Sequence, residues 1–142
     1  MGIESSCDET SVSIVEKRDN KINVLSNIVK SQIDIHKFYG GVVPELAARA
    51  HSDIIDKLVL KALSEANLTF KKIDAISATA GPGLLGGLLV GVVAGKTLAP
   101  YLNKPFSAVN HLEGHALSIK LEREIDYPYL LLLVSGGHTE FT

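Results

Sequence analysis

At 142 residues the chain has the length of a single domain, and 46% hydrophobic with 21% charged content is ordinary for a globular protein. Sixteen acids against fourteen bases leave a net charge of −2. The basic residues pair only in scattered doublets such as Lys17-Arg18 and Lys71-Lys72, so any grip on RNA must come largely from elsewhere. The lone Cys7 excludes an internal disulfide and fits a reducing, cytoplasmic compartment, and no signal peptide is visible at the start.

Gly2 to Ser5 alternates apolar and polar side chains and reads as a strand; Ser6 to Glu9 is a polar turn and Thr10 to Glu16 an antiparallel partner. Arg18 to Lys21 makes a second turn and Ile22 to Val29 a third strand. Ser31 to Gly41 reads as loop, hinged at Gly40-Gly41. Val42-Val43-Pro44 then opens one long helix that ends near Asn67, with Leu46, Ala50, Ile54, Leu58, Ala62 and Leu63 on its buried face. Ile73 to Ala80 is a strand, Leu84 to Leu102 a helix, Phe106 to Val109 a strand, and a last helix runs from Asn110 to about Glu124. A meander followed by crossovers predicts an α/β fold, a mixed sheet in the order βββαβαβα covered by helices. The uncharged stretch Ala75 to Gly95 passes for a membrane span by length, but Gly81-Pro82-Gly83 breaks it into pieces too short to cross. A soluble protein is expected.

Beyond Tyr127-Pro128 the chain begins again. Tyr129 to Val134 is a strongly apolar strand, Ser135 to His138 a tight turn, and Thr139 to Thr142 a returning strand, echoing the form of Met1 to Glu16. A hairpin alone is marginal. Residues 1–126 are therefore read as one complete lobe and 127–142 as the opening strand–turn–strand of a second, truncated one.

The run Asn110-His111-Leu112-Glu113-Gly114-His115 carries the sharpest chemical signal. Helix residues at i and i+4 share a face, so both imidazoles are able to address one ion, and Asn110 is a natural N-cap for the helix they sit on. Ordinary surface or capping histidines would also give this pattern. A zinc protease places glutamate directly after the first histidine. Here Glu113 comes two residues later, about 200° round the helix, and points away from the shared face.

Glycine patterns need separate weighing. Ser135-Gly136-Gly137 is either a backbone nest for an anion or a plain hairpin turn. Gly81 to Gly86 formally matches a dinucleotide loop, yet the acid that should follow about twenty residues later is missing; Gly95-Lys96-Thr97 imitates a phosphate loop without its first glycine. A structural account suits Gly83, Gly87, Gly91 and Gly95 better, since their four-residue spacing gives a bare helix stripe against which another element packs closely. Ser5, Ser6, Asp8, Glu9 and Thr10 crowd one turn, where acids either orient a substrate amine or simply face solvent. Cys7 is expected to sit against the sheet, with no histidine near it in sequence, and so is not read as a nucleophile.

Taken in order, Gly2-Ile3-Glu4-Ser5-Ser6-Cys7-Asp8-Glu9-Thr10, Gly40-Gly41-Val42-Val43-Pro44-Glu45-Leu46-Ala47, Ala80-Gly81-Pro82-Gly83-Leu84, the histidine pair and Val134-Ser135-Gly136-Gly137-His138-Thr139 resemble the tRNA N6-adenosine threonylcarbamoyltransferase family, TsaD, formerly labelled O-sialoglycoprotein endopeptidase. The resemblance implies a fold of the actin, sugar kinase and Hsp70 type, two RNase H-like lobes around a nucleotide cleft. It implies transfer of a threonylcarbamoyl group from threonylcarbamoyl-AMP to N6 of the adenosine beside the anticodon, in tRNAs reading codons that begin with adenosine. His111 and His115 would be two ligands of one divalent iron or zinc, completed by a ligand outside this chain. Leu133, Val134, Ser135, Gly136 and Gly137 match the segment that contacts the substrate's nucleotide portion, and Asp8 and Glu9 match acidic residues implicated in activity. The implied partners are tRNA, an inactive paralogue of similar fold and a small ATPase. Family members continue well beyond Thr142, so the isolated chain is expected to bind metal weakly and to lack turnover. A metalloendopeptidase and a non-catalytic scaffold are the competing expectations.

Overall fold

Strict alternation in the first strands decides which side of the sheet is buried. In the computed structural model, which describes residues 1–19, 21–123 and 125–134 together with the backbone of 139–141, β1 (Gly2–Glu4) turns Ile3 inward and β2 (Glu9–Arg18) does the same with Thr10, Val12 and Ile14. Gly2, Glu4, Ser11 and Ser13 therefore face the other way. β3 (Lys21–Ser31) completes an antiparallel meander whose register, Gly2 opposite Ser13 and Ser13 opposite Asn27, keeps like faces together. A bulge between Ile14 and Val15 shifts that register near the turn.

β4 (Ile76–Gly81) and β5 (Phe106–Asn110) add in parallel through helical crossovers, giving a five-stranded mixed sheet in the order β3-β2-β1-β4-β5. The mixed α/β architecture agrees with the expected one. α2 (Pro44–Ser52), α3 (Ile55–Glu65) and α4 (Leu85–Tyr101) cover the apolar side. Their core joins Ile3, Val12, Ile14, Ile28, Ile76 and Ala78 of the sheet to Leu58, Val59, Ala62, Leu63 and Ala99 of the helices. Fully burying one such aliphatic side chain contributes roughly 1.5–3 kcal/mol. α5 (His111–Ser118) contacts β4 and β5 and lines the polar side of the sheet.

Several expectations need correction. The long helix from Pro44 to Asn67 is two helices, broken at Asp53 and Ile54, because α2 packs on α4 whereas α3 packs on β2 and β3. The apolar period runs through the break and hides it. In α2 the buried positions are Ala47 and His51, each one residue beyond the expected Leu46 and Ala50, which are only half-buried. The segment read as loop contains a short α1 (Ile33–His36) and a 3-10 turn at Lys37–Tyr39. The histidine helix stops at Ser118, followed by a 3-10 turn at Ile119–Leu121.

The apolar strand expected from Tyr129 is the shorter β6 (Leu132–Val134), which pairs antiparallel with β7 (Thr139–Phe141) in a sheet separate from the first. The turn Ser135 to His138 lies outside the described residues. Among the described residues no helix is long and apolar enough to cross a membrane.

Candidate active site

Asn110 ends β5 in extended conformation, and its side-chain Oδ1 accepts from the backbone amides of Leu112 (2.9 Å) and Glu113 (3.2 Å), which starts α5 as the sequence predicts. One turn separates His111 from His115, and their rings meet edge to face with the two Nε2 atoms 3.2 Å apart. Glu113 faces a different hollow, shared with Tyr127, Tyr129 and Leu133. It lies away from the face of the imidazole pair.

His111 is anchored from the sheet. Its Nδ1 stands 3.3 Å from Oε2 of Glu4 and 3.2 Å from the hydroxyl of Ser6. Glu4 also accepts from the backbone amide of Ser6 and the hydroxyl of Thr79. Partial burial pushes the Glu4 carboxyl upward, but these hydrogen bonds and the neighbouring His111 outweigh it and hold the group below its ordinary range. An ionised carboxylate only accepts, so the proton of His111 resides on Nδ1 and the Nε2 lone pair faces His115. Sequence reading placed Ser6 in the polar first turn without its partner and missed Glu4 and Thr79. Alternation alone puts Glu4 on the polar face of β1, the one signal that pointed to it.

A cleft of about 670 Å³ opens over this face of the sheet. Glu4, Ser6, His111 and His115 line it together with Asp8 and Glu9, and Ser11, Ser13, Asn27 and Ser77 contribute to its floor. The two acids of the first turn and the two histidines thus share one cavity. Asp8 is half-buried and Glu9 exposed. Cys7 also borders the cleft and is exposed, contrary to the expectation that it packs against the sheet, because it occupies the turn rather than a strand. Partial desolvation and the Asp8 carboxylate push its thiol up, which disfavours a thiolate nucleophile.

Leu133 lines the hollow on the Glu113 side of α5, and Val134 is exposed. Neither lines the cleft of the histidine pair. Ser135, Gly136 and Gly137 lie outside the described residues. The glycine stripe has a clear structural role: an added Cβ at Gly95 would stand 2.7 Å from the Phe106 ring, and at Gly87 and Gly91 it would collide with the backbone and side chain of Ser5.

The donor set suits a borderline divalent ion such as iron or zinc. Two imidazole nitrogens at about 2.0–2.1 Å from one tetrahedral ion stand about 3.3 Å apart, close to the 3.2 Å seen between the Nε2 atoms. Among the described residues no group of three or more His, Cys, Asp or Glu side chains is arranged to hold a metal. The fit is therefore that of two ligands which need a third from elsewhere.

The model of the family described as "TsaD: tRNA N6-adenosine threonylcarbamoyltransferase" matches residues 23–142. A protein of that name from Bartonella tribocorum is 60% identical over 141 residues, covering 99% of this chain and 39% of the relative. Its namesake from Pelagibacter ubique is 58% identical over 142 residues, covering 99% and 40%. The chain thus spans about two fifths of the length of these curated relatives. Among solved structures, YeaZ from Pseudomonas aeruginosa superposes with a TM-score of 0.55 at 19% identity, over 77% of this chain and 43% of its own. A protein described as similar to peptidase YEAZ from Pseudomonas aeruginosa gives 0.62 at 18% identity, over 99% and 62%. At such identity these two speak for the fold alone.

Proposed function

The chain belongs to the tRNA N6-adenosine threonylcarbamoyltransferase family, and from that membership we propose that a protein of the relatives' full length transfers a threonylcarbamoyl group from threonylcarbamoyl-AMP to N6 of the adenosine adjacent to the anticodon, in tRNAs reading codons that begin with A. The observation that carries this reading is the pair of imidazole Nε2 atoms facing each other across 3.2 Å on a cleft that also holds Asp8 and Glu9. We assign the reaction to the cytoplasm on the strength of its tRNA substrate.

In this reading His111 and His115 hold a divalent iron or zinc together with a ligand outside this chain. Bound there, the ion supplies a Lewis acid that polarises the threonylcarbamoyl carbonyl. Glu4 keeps the His111 proton on Nδ1 and so leaves the Nε2 lone pair for the ion. Asp8 and Glu9 orient the attacking adenosine amine from the adjacent wall. An activated mixed anhydride leaves the protein mainly positioning and electrostatics, which suits a cleft with no activated covalent nucleophile among its described residues. The segment Leu133 to Gly137 is assigned to the nucleotide portion of the substrate.

A paralogue of similar fold and a small ATPase complete the proposed assembly. The outer stripe of α4, Leu85, Leu89 and Val93, is 73%, 52% and 58% exposed, an apolar helix face suited to such a partner. The isolated chain, which offers two metal ligands among its described residues, binds metal weakly and does not turn over.

The test compares the full-length protein with its His111→Ala variant, assayed with tRNA, threonylcarbamoyl-AMP and the partner proteins, reading modified adenosine by nucleoside mass spectrometry. Wild type makes the modified base and the variant loses it. Equal modification by both removes the metal pair from the mechanism, and a wild type that modifies no tRNA removes the transferase reading.

A further inference from the structure

A buried polar chain runs behind the first turn, on the side away from the cleft, and its hydrogen bonds have only one consistent direction. The backbone amide of Val43 donates to Nδ1 of His36 (3.3 Å), so the His36 proton lies on Nε2, which donates to Oε1 of Gln32 (3.1 Å). That fixes the Gln32 amide. Its Nε2 faces Nδ1 of His51 (3.1 Å) and the carbonyl of Ala47 (3.4 Å). The hydroxyl of Thr10 also reaches Nδ1 of His51, at 2.7 Å. With Nδ1 receiving hydrogen bonds, the proton of His51 is left on Nε2, which donates to the carbonyl of Cys7 at 3.1 Å. His51 is fully buried, and Gly87 of α4 makes room for it, since a Cβ there would stand 3.2 Å from the ring.

The target of this chain is the turn that carries Asp8 and Glu9. Three successive carbonyls of that turn are held: Ser6 by the amide of Leu84 (2.7 Å), Cys7 by His51, and Asp8 by the amide of Gln32 (2.9 Å). Two of the three donors are backbone. The middle one is a side chain, and it sets the plane of the peptide that joins Cys7 to Asp8.

We propose that His51 is a positioning residue of the cleft: by donating Nε2–H to the Cys7 carbonyl it fixes the orientation in which the turn presents Asp8 and Glu9. The inference rests on the transferase reading of that cleft. His51 does not line the cleft, so its effect is on geometry. A carboxylate misplaced by about 1 Å lowers turnover by as much as about 10²-fold while leaving substrate affinity largely intact.

The two amides separate the halves of the imidazole. In His51→Gln the side-chain Nε2 takes the place of the imidazole Nε2 and keeps the donor to Cys7. In His51→Asn the shorter amide reproduces only the Nδ1 position and leaves the carbonyl without its partner. In the full-length protein with tRNA and threonylcarbamoyl-AMP, His51→Asn lowers kcat by about tenfold or more with KM changed less than about threefold, and His51→Gln restores kcat to within about threefold of wild type. Equal loss in both variants, or wild-type kcat in His51→Asn, overturns the proposal. Nitrogen NMR of the wild-type imidazole provides a readout independent of turnover. The Nε2–H tautomer is expected, and the Nδ1–H tautomer overturns the proposal even if His51→Asn fails to fold. A wild type without transferase activity overturns the reading of the cleft, while the tautomer still decides whether His51 clamps the turn.

Discussion

Nδ1 of His111 lies 3.3 Å from Oε2 of Glu4, a residue 107 positions earlier in the chain. The contact couples the first strand of the sheet to the helix after the last one, and it sets the tautomer of the imidazole that faces His115. Carboxylate partners of this kind raise the basicity of a ligating histidine and orient its ring, and their loss typically costs 10–100-fold in metal affinity. Glu4→Gln in the full-length protein is accordingly expected to weaken zinc or iron binding by about that factor, measured by titration against a competing chelator. Affinity within about threefold of wild type would show that the contact plays no part in metal binding.

The helix start offers a second prediction. Asn110 caps two backbone amides of α5 with one oxygen. Asn110→Ala should cost about 1 kcal/mol in denaturant melts, and Asn110→Asp should retain most of it. Hydrogen exchange should quicken at Leu112 and Glu113, the amides that lose their acceptor. Unchanged exchange there would show that the cap does not hold the helix.

Glycines provide a contrast within one chain. Alanine at Gly87 or Gly91 gains helix propensity of about 1 kcal/mol but drives a Cβ into Ser5, and overpacking of that kind costs about 1–3 kcal/mol, so net destabilisation is expected. Gly114 meets nothing within 4 Å of an added Cβ. Gly114→Ala should therefore stabilise by about 0.5–1 kcal/mol. Thermal melts of the three variants should fall on opposite sides of wild type.

Stability should decline in acid by two routes. Burial pushes buried His51 below its ordinary value of 6.5, against the Cys7 carbonyl to which it donates. Between 6.5 and its lower folded value the unfolded chain binds the proton more readily, so stability falls as pH drops through that window. His51→Gln removes this component. Glu4, held below its ordinary 4.5, contributes stability that is complete above that value and is lost as pH falls through the folded one. Equilibrium unfolding from pH 7.5 down to about 3 checks both components, and a flat profile in wild type contradicts them.

How much of this was legible in the sequence depends on distance along the chain. Asn110, His111 and His115 announce themselves because the cap and the i, i+4 spacing are local. The glycine stripe was legible as close packing, though not its partner, because Ser5 lies 82 residues before Gly87. Glu4 escaped notice as a metal-site neighbour for the same reason: only strand pairing and the β5–α5 junction bring it to His111. The break at Asp53 and Ile54 was invisible because the apolar rhythm continues across it while the packing partner changes. His51 follows Ala47 at the helical spacing, which hints at its burial but not at its partners, and His36 carries no periodic signature; only the fold encloses them.

The hydroxyl of Ser5 donates to the carbonyl of Gly87 at 2.8 Å and accepts from the amide of Gly91 at 3.0 Å, so it grips two backbone groups one turn apart on α4. The residue after β1 is thus tied to the backbone of that turn. Unwinding that turn would release Ser5, three and four residues before the two acids of the bend. The approach to the turn that presents Asp8 and Glu9 is therefore moored through the backbone of a helix on the opposite side of the sheet.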